Sequence, residues 1–191
     1  MADTALSMKQ KVVLVGDPGV GKTSLALKFV HKFYDDEYLS TVGANVYKKR
    51  VEFKDAKGKG ASMELVVWDL AGQKQGLSHI QTQAFLGCAG ALAVCDVSRA
   101  GSIPAIAEWV KRVRAGAGGV NFVLIANKLD LIATDSKDAA AYKENLAKAE
   151  EMAKKEGFTF YRTSAKTGEN VDEAFSKIAG MIHAAANKGS D

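Results

Sequence analysis

The segment 16–23 reads GDPGVGKT and directly follows a short apolar run at 11–15. This order requires a strand that turns through glycines into a helix, so it constrains the fold more than any other part of the chain. In such a turn, successive backbone N–H groups and the positive end of the helix converge on phosphate oxygens. Lys22 would place its ammonium across the terminal phosphates, and the Thr23 hydroxyl would bind Mg²⁺, which prefers hard oxygen ligands. The sequence therefore predicts a site for a nucleoside polyphosphate.

Composition excludes several other classes of protein. With 191 residues, 47% of them hydrophobic and 25% charged, the chain suits one globular domain with a substantial core. The net charge is only +4 and basic residues alternate with acidic ones, so we predict no nucleic acid partner. Cys88 and Cys95 lie in an apolar stretch and are predicted to be buried, reduced thiols. No signal core or membrane-length apolar stretch is present, so we expect a cytoplasmic protein.

Apolar runs of strand length alternate with segments of helical period, which is typical of an α/β fold with a doubly wound, mostly parallel sheet and helices on both faces. Six strands are predicted, near 11–15, 44–53, 63–68, 91–97, 120–126 and 158–162. The second and third form a hairpin around 55–60, which would give the one antiparallel edge. Helices are predicted near 23–33, 102–114, 137–156 and 171–185, and an irregular loop followed by a short helix at 70–90. Gly157 would end the third of these helices, and Asn170 with Glu173 would cap the start of the last.

Four polar motifs follow predicted strands. The phosphate loop follows the first, DLAGQ at 69–73 the third, NKLD at 127–130 the fifth and TSAK at 163–166 the sixth. In open sheets of this kind ligands bind at the carboxyl ends of the strands, so all four motifs are expected on one rim.

The NKLD turn indicates which base is bound. The Asp130 carboxylate can accept two hydrogen bonds from a base that carries an N–H beside an amino group, which describes guanine and excludes adenine. Segment 164–166 would close the pocket, with a backbone N–H reaching the guanine carbonyl and the Lys166 stem packing near the ring.

The remaining motif residues are suited to Mg²⁺ and to hydrolysis. Asp69 would hold Mg²⁺ through a water, and Gly72 would let its N–H approach the terminal phosphate. The Gln73 amide both donates and accepts, as required to orient an attacking water. Thr41 would supply a second hydroxyl to Mg²⁺ and an N–H to the terminal phosphate.

Taken together, these motifs resemble the Ras superfamily of small GTPases, and most closely its Rab branch. The resemblance covers nearly the whole chain and rests on GDPGVGKTS, YLSTVG, WDLAGQ, NKLD and TSAKTGEN, in family order. It implies a G domain that switches between GTP and GDP, hydrolyses GTP slowly with Mg²⁺, and presents loops at 34–43 and 70–80 to partners. Those partners would be an exchange factor, a GTPase-activating protein and effectors. Tyr34 corresponds to the aromatic packed on guanine and Tyr38 to the one that covers the phosphates.

Motifs and resemblance together give one set of expected site residues. The catalytic residues are Gln73 and Lys22, and the metal ligands are Thr23, Thr41 and, through water, Asp69. The nucleotide-binding residues are Gly19, Val20, Gly21, Lys22, Thr23, Ser24, Tyr34, Tyr38, Thr41, Gly72, Asn127, Lys128, Asp130, Ser164, Ala165 and Lys166.

Two departures from the family pattern bear on partners and catalysis. Lys74 and Gly76 stand where the family usually has an acidic residue and an aromatic, so the partner surface is expected to differ. Pro18 has a fixed φ and no N–H, which would alter the approach of a partner's arginine. The sequence also places no obvious arginine near the phosphates, so slow hydrolysis is expected.

The termini predict no lipid anchor. The chain is divided into an extension at 1–10, a G domain at 11–185 and a polar tail at 186–191. That tail contains no cysteine for prenylation, and Ala2 excludes myristoylation. Either the protein is an unanchored relative or its tail is missing, and membrane contact would come through a partner or that missing tail.

Two other functions fit the phosphate loop. A phosphotransferase would need an acceptor site and lid arginines, and it has no use for NKLD. A guanine-nucleotide binding module without turnover would have no need of Gln73.

Overall fold

The computed structural model describes residues 8–32, 43–55, 57–72, 78–133 and 137–188. Its centre is a six-stranded sheet in the order β2-β3-β1-β4-β5-β6. The strands are β1 Met8–Val15, β2 Ala44–Lys54, β3 Gly60–Leu70, β4 Gly90–Asp96, β5 Asn121–Asn127 and β6 Thr159–Arg162. Every neighbouring pair is parallel except β2 with β3, which form the predicted hairpin. The predicted fold class is thereby confirmed.

Helices fill the connections between strands. They are α1 Lys22–His31, α2 Ser78–Phe85, α3 Ala105–Ala117, α4 Asp130–Ala133, α5 Ala139–Glu156 and α6 Val171–Lys188. The predicted start of a helix at 102 was wrong, because Ala100–Ser102 forms a 3₁₀ turn and α3 begins only after Pro104. The short α4 was not predicted. Gly157 ends α5 in a left-handed conformation with φ 70°, as expected.

The sheet separates two hydrophobic cores. Side chains alternate along β1, so Val12 and Leu14 face one core while Val13 and Val15 face the other. The first core packs α1 and α6 against the sheet, where the rings of Phe29 and Phe175 stack with centroids 3.9 Å apart. The second core packs α2, α3 and α5 around buried Trp109. Helices on both faces hold the central strands rigidly, which fixes the rim where they end.

Both cysteines are buried free thiols in the second core, as predicted. Burial raises the pKa of Cys88 to about 11 and that of Cys95 to about 12, so both stay protonated at neutral pH. Among the described residues, none of the helices has the length and apolar character that crossing a membrane requires.

Candidate active site

The phosphate loop follows β1 and packs backbone against backbone. Gly16 has φ 142°, and a Cβ at this residue would lie 2.2 Å from the Val94 carbonyl oxygen of β4. From the other side, Gly72 after β3 approaches so closely that a Cβ there would lie 2.3 Å from the Pro18 nitrogen. Only glycine fits at either position, so the DLAGQ and GDPGVGKT segments meet directly.

Lys22 is the first residue of α1 and folds back into the loop. Its Nζ donates to the carbonyls of Gly16 (2.8 Å) and Asp17 (3.0 Å), and it is 6% exposed. Burial lowers the pKa of Lys22 to about 8, opposed by the charges of Asp69 and Asp17 and assisted by that of Arg99. A buried ammonium beside N–H groups at a helix start gives this loop the electrostatics of an anion site.

Thr23 and Asp69 bring two oxygen ligands together beside Lys22. The Thr23 hydroxyl donates to Asp69 Oδ2 at 2.7 Å, and the Asp69 side chain is fully buried at the end of β3. A hydroxyl and a carboxylate are the hard donors that Mg²⁺ prefers, and this ion usually binds few protein groups besides phosphates and water. These residues therefore fit Mg²⁺. In the part of the chain that the structure describes, no group of three His, Cys, Asp or Glu side chains forms an all-protein metal site.

Asn127 joins the base motif to the phosphate loop. Its Nδ2 donates to the Val20 carbonyl at 3.0 Å, while its Oδ1 accepts from the Thr163 hydroxyl and from the Ala165 N–H, both at 3.1 Å. The side chain is 1% exposed. One amide thus connects the ends of β1, β5 and β6.

Asp130 lies at the start of α4, where its Oδ1 accepts from the Ser164 hydroxyl at 2.6 Å. Ser164 Oγ in turn accepts from the Thr167 N–H at 3.1 Å, which fixes the TSAK turn against the NKLD turn. A half-buried carboxylate held in this way is oriented in advance to accept hydrogen bonds from a base.

Asp96 ends β4 on the same rim, although none of the sequence motifs predicted it. It is fully buried, and its Oδ2 accepts from Lys128 Nζ at 2.7 Å and from Arg99 Nε at 3.2 Å. The Arg99 Nη2 atom also donates to the Pro18 carbonyl at 2.7 Å. Arg99 thus contacts the backbone of the phosphate loop, a contact that we did not predict. Applying the strand-end rule to β4, as to the other strands, would have found Asp96.

The structure brings most of the predicted residues to one rim and leaves others outside its description. The predicted residues that lie in the segments at the ends of β1, β3, β5 and β6 are Gly19, Val20, Gly21, Lys22, Thr23, Ser24, Asp69, Gly72, Asn127, Lys128, Asp130, Ser164, Ala165 and Lys166. Tyr34, Tyr38, Thr41 and Gln73 lie outside the described residues, as do Lys74 and Gly76.

Comparison with known proteins shows which family of phosphate-loop proteins this chain belongs to. The model of the Ras family matches residues 11–184. The chain belongs to the Ras family. It is 36% identical over 170 residues to the Ras-related protein Rab-13 of Bos taurus, covering 88% of this chain and 77% of that protein.

Two further relatives support the Rab branch. The GTP-binding protein ypt5 of Schizosaccharomyces pombe is 35% identical over 179 residues, and the match covers 91% of this chain and 78% of the yeast protein. The Ras-related protein RABE1e of Arabidopsis thaliana is 35% identical over 170 residues, and the match covers 88% of this chain and 72% of the plant protein. The protein is accordingly a Rab-like small GTPase with a Ras-family G domain, and the predicted family and enzyme class are confirmed.

Proposed function

We propose that this GTPase binds guanine nucleotide with Mg²⁺, hydrolyses GTP slowly and signals through the two resulting states. The observation that carries the proposal is the 3.0 Å hydrogen bond from Asn127 Nδ2 to the Val20 carbonyl. It ties the turn suited to guanine to the loop suited to phosphate, so base and phosphates would be held by one connected unit.

The site residues would then each contact the nucleotide or its Mg²⁺. Asp130 would accept from the guanine N–H and amino group, and Ser164, Ala165 and Lys166 would close over the base. Lys22 and the N–H groups of 19–24 would bind the phosphates. Thr23 and, through a water, Asp69 would hold Mg²⁺ together with Thr41. That ion would neutralise charge on the phosphate oxygens.

Hydrolysis would depend on Gln73, which we propose orients the attacking water, with Gly72 donating its N–H to the terminal phosphate. The role proposed for the Gly72 N–H is supported by the close approach of the Gly72 backbone to Pro18 of the phosphate loop. Without an arginine on the transferring group, we expect a rate on the order of 10⁻⁴ s⁻¹, the magnitude of intrinsic Ras hydrolysis.

The switch would be read at 34–43 and 70–80, where Tyr34 and Tyr38 would cover the base and phosphates. Exchange factors, GTPase-activating proteins and effectors are the partner classes we propose, acting on a cytoplasmic protein. Nucleic acid is not among the proposed ligands.

A single-turnover assay with radiolabelled GTP tests the proposal. Wild-type protein should release phosphate without an acceptor, and Gln73→Leu should slow release by about tenfold or more. Exposed Gln83 on α2 offers the control Gln83→Leu, which should keep the wild-type rate. Equal rates in wild type and Gln73→Leu would remove Gln73 from its role. Tight binding without phosphate release would favour the binding module, and transfer only to an added nucleoside would favour the phosphotransferase.

A further inference from the structure

Arg99 contacts the phosphate loop from the side opposite Gly72. Its Nη2 donates to the Pro18 carbonyl at 2.7 Å, and its Nε donates to Asp96 Oδ2 at 3.2 Å. Gly72 instead approaches the backbone between Asp17 and Pro18. A guanidinium donating to a neutral carbonyl forms a charge-assisted hydrogen bond, which is stronger than a neutral one.

We propose that Arg99 is a positioning residue for GTP hydrolysis: by bonding the Pro18 carbonyl it fixes and strengthens the Gly19 N–H as a donor to the phosphates. The proposal rests on the function proposed above and adds a residue to it. Arg99 acts through the peptide unit and does not touch the nucleotide.

The Pro18–Gly19 peptide bond connects Arg99 to the side of the loop that would face the phosphates. The Pro18–Gly19 peptide is trans, so its carbonyl and its N–H point in opposite directions. Arg99 lies on the carbonyl side, and the Gly19 N–H therefore points away from Arg99. A hydrogen bond to the carbonyl of an amide makes its N–H a stronger donor, by roughly 10–30%.

Pro18 makes the Gly19 N–H more important for phosphate binding than it would be in a loop without proline. Pro18 has no N–H, so the loop has one backbone donor fewer, and Gly19 supplies the next. Gly19 holds φ 73°, a left-handed conformation that a tight loop around phosphates uses. Strengthening the first donor after the proline compensates for the donor that the proline removes.

Arg99 is held in place by a carboxylate that is itself fully bonded. Asp96 Oδ1 accepts from the Ser98 N–H at 2.9 Å and from the Ser98 hydroxyl at 2.7 Å. Its Oδ2 accepts from Lys128 Nζ at 2.7 Å as well as from Arg99. On the other side of Pro18, Asp17 Oδ1 accepts from the Trp109 indole N–H at 3.0 Å. The backbone around Pro18 is thus anchored by a buried ring and a buried carboxylate.

The effect should appear in the chemical step and hardly in nucleotide binding. Negative charge shifts between phosphate oxygens during phosphoryl transfer, so a stronger donor gains more in the transition state than in the ground state. One preorganised donor contributes about 10²–10³ in rate, and 10–30% of that effect, on a logarithmic scale, is about two- to eightfold.

The experiment compares Arg99→Ala, Arg99→Lys and the wild type by single-turnover GTP hydrolysis and by GDP dissociation constants. Arg99→Ala should hydrolyse GTP about two- to eightfold more slowly with GDP affinity within about twofold, and Arg99→Lys should recover most of the loss. Arg50→Ala is the matched control, because Arg50 bonds Ser62 on the exposed β2–β3 hairpin, and it should behave as wild type. In the GDP-bound protein, the Gly19 amide proton should shift upfield in Arg99→Ala and move back in Arg99→Lys.

Wild-type hydrolysis and an unchanged Gly19 amide signal in Arg99→Ala would overturn the inference while leaving the GTPase intact. An equal loss of hydrolysis and of GDP affinity, together with a lower melting temperature and no recovery in Arg99→Lys, would also overturn it, because it indicates a structural role. Absence of GTP hydrolysis in the wild type would instead contradict the proposed function.

Discussion

The phosphate end and the base end of this site are built in different ways. At the phosphate end, Gly16 and Gly72 pack backbone against backbone, leaving no room for a Cβ. At the base end, side chains bond to side chains, as Asp130 does to Ser164. Backbone packing fixes a shape that suits any nucleoside polyphosphate, whereas under the proposed function the side-chain contacts would select one base. Substitutions at the two ends should therefore fail in different ways.

The largest expected effect is on stability at the phosphate end. Gly16→Ala would place a Cβ 2.2 Å from the Val94 carbonyl, part of a central strand that cannot move aside. We expect a loss of about 4 kcal/mol or more in the free energy of unfolding, measured by urea denaturation.

Gly168 at the base end is the matched comparison. It also has a positive φ, 90°, but its added Cβ would meet only the flexible end of Lys28 at 2.8 Å. Gly168→Ala should cost about 1–2 kcal/mol in the same titration. Equal losses in the two variants would break the distinction between a backbone-packed end and a side-chain-packed end.

Lys22→Ala should weaken binding to GDP and GTP alike, by about a hundredfold, because it removes the buried ammonium without touching the base end. Fluorescent guanine nucleotide titration measures the loss. The exposed Lys154, which pairs with Glu150 on α5, provides the control Lys154→Ala. Wild-type affinity in Lys22→Ala would show that the loop is not the phosphate site.

Asp130→Asn should change base preference while leaving phosphate binding alone. The amide oxygen can still accept from the Ser164 hydroxyl, but the amide nitrogen offers a donor where the carboxylate only accepts, so guanine affinity should fall by roughly 10- to 100-fold and xanthine affinity should rise. Competition between GDP and XDP measures the preference, with the exposed Asp138→Asn as control. Unchanged guanine preference would mean that Asp130 does not read the base.

A smaller effect is expected from pH. The pKa of Lys22 is about 8 here because of burial, and bound phosphate would raise it. Binding would then take up a proton above pH 8, so GDP affinity should fall with rising pH, by at most about tenfold per unit. Calorimetry in two buffers of different ionisation enthalpy should show proton uptake at pH 9 and none from Lys22 at pH 6.5. Constant affinity between these values would contradict this protonation change.

The sequence predicted the strands well where apolar runs are long. The fully buried β4, GALAVCD, was placed within a residue at each end. The start of β1 was missed because Met8 and Lys9 are exposed and Gln10 is only half-buried, so pairing with β3 extends that strand without a hydrophobic signal. Local pattern cannot report pairing with a partner strand more than fifty residues away.

The site was predictable where residues follow strand ends in known motifs, as Lys22, Asp69 and Asn127 do. Arg99 was not, because its bond to Pro18 joins residues 81 positions apart. Only the packing of β4 beside β1 brings them together. The backbone clashes at Gly16 and Gly72 likewise depend on tertiary packing that spacing does not encode.

The two separately built ends should act on one nucleotide. Single-turnover hydrolysis of XTP by Asp130→Asn, beside hydrolysis of GTP by the wild type, tests this joint action most directly. We expect the variant to cleave XTP at close to the wild-type rate for GTP, since the phosphate end is unchanged. Tight XTP binding without hydrolysis, or continued preference for GTP, would contradict it.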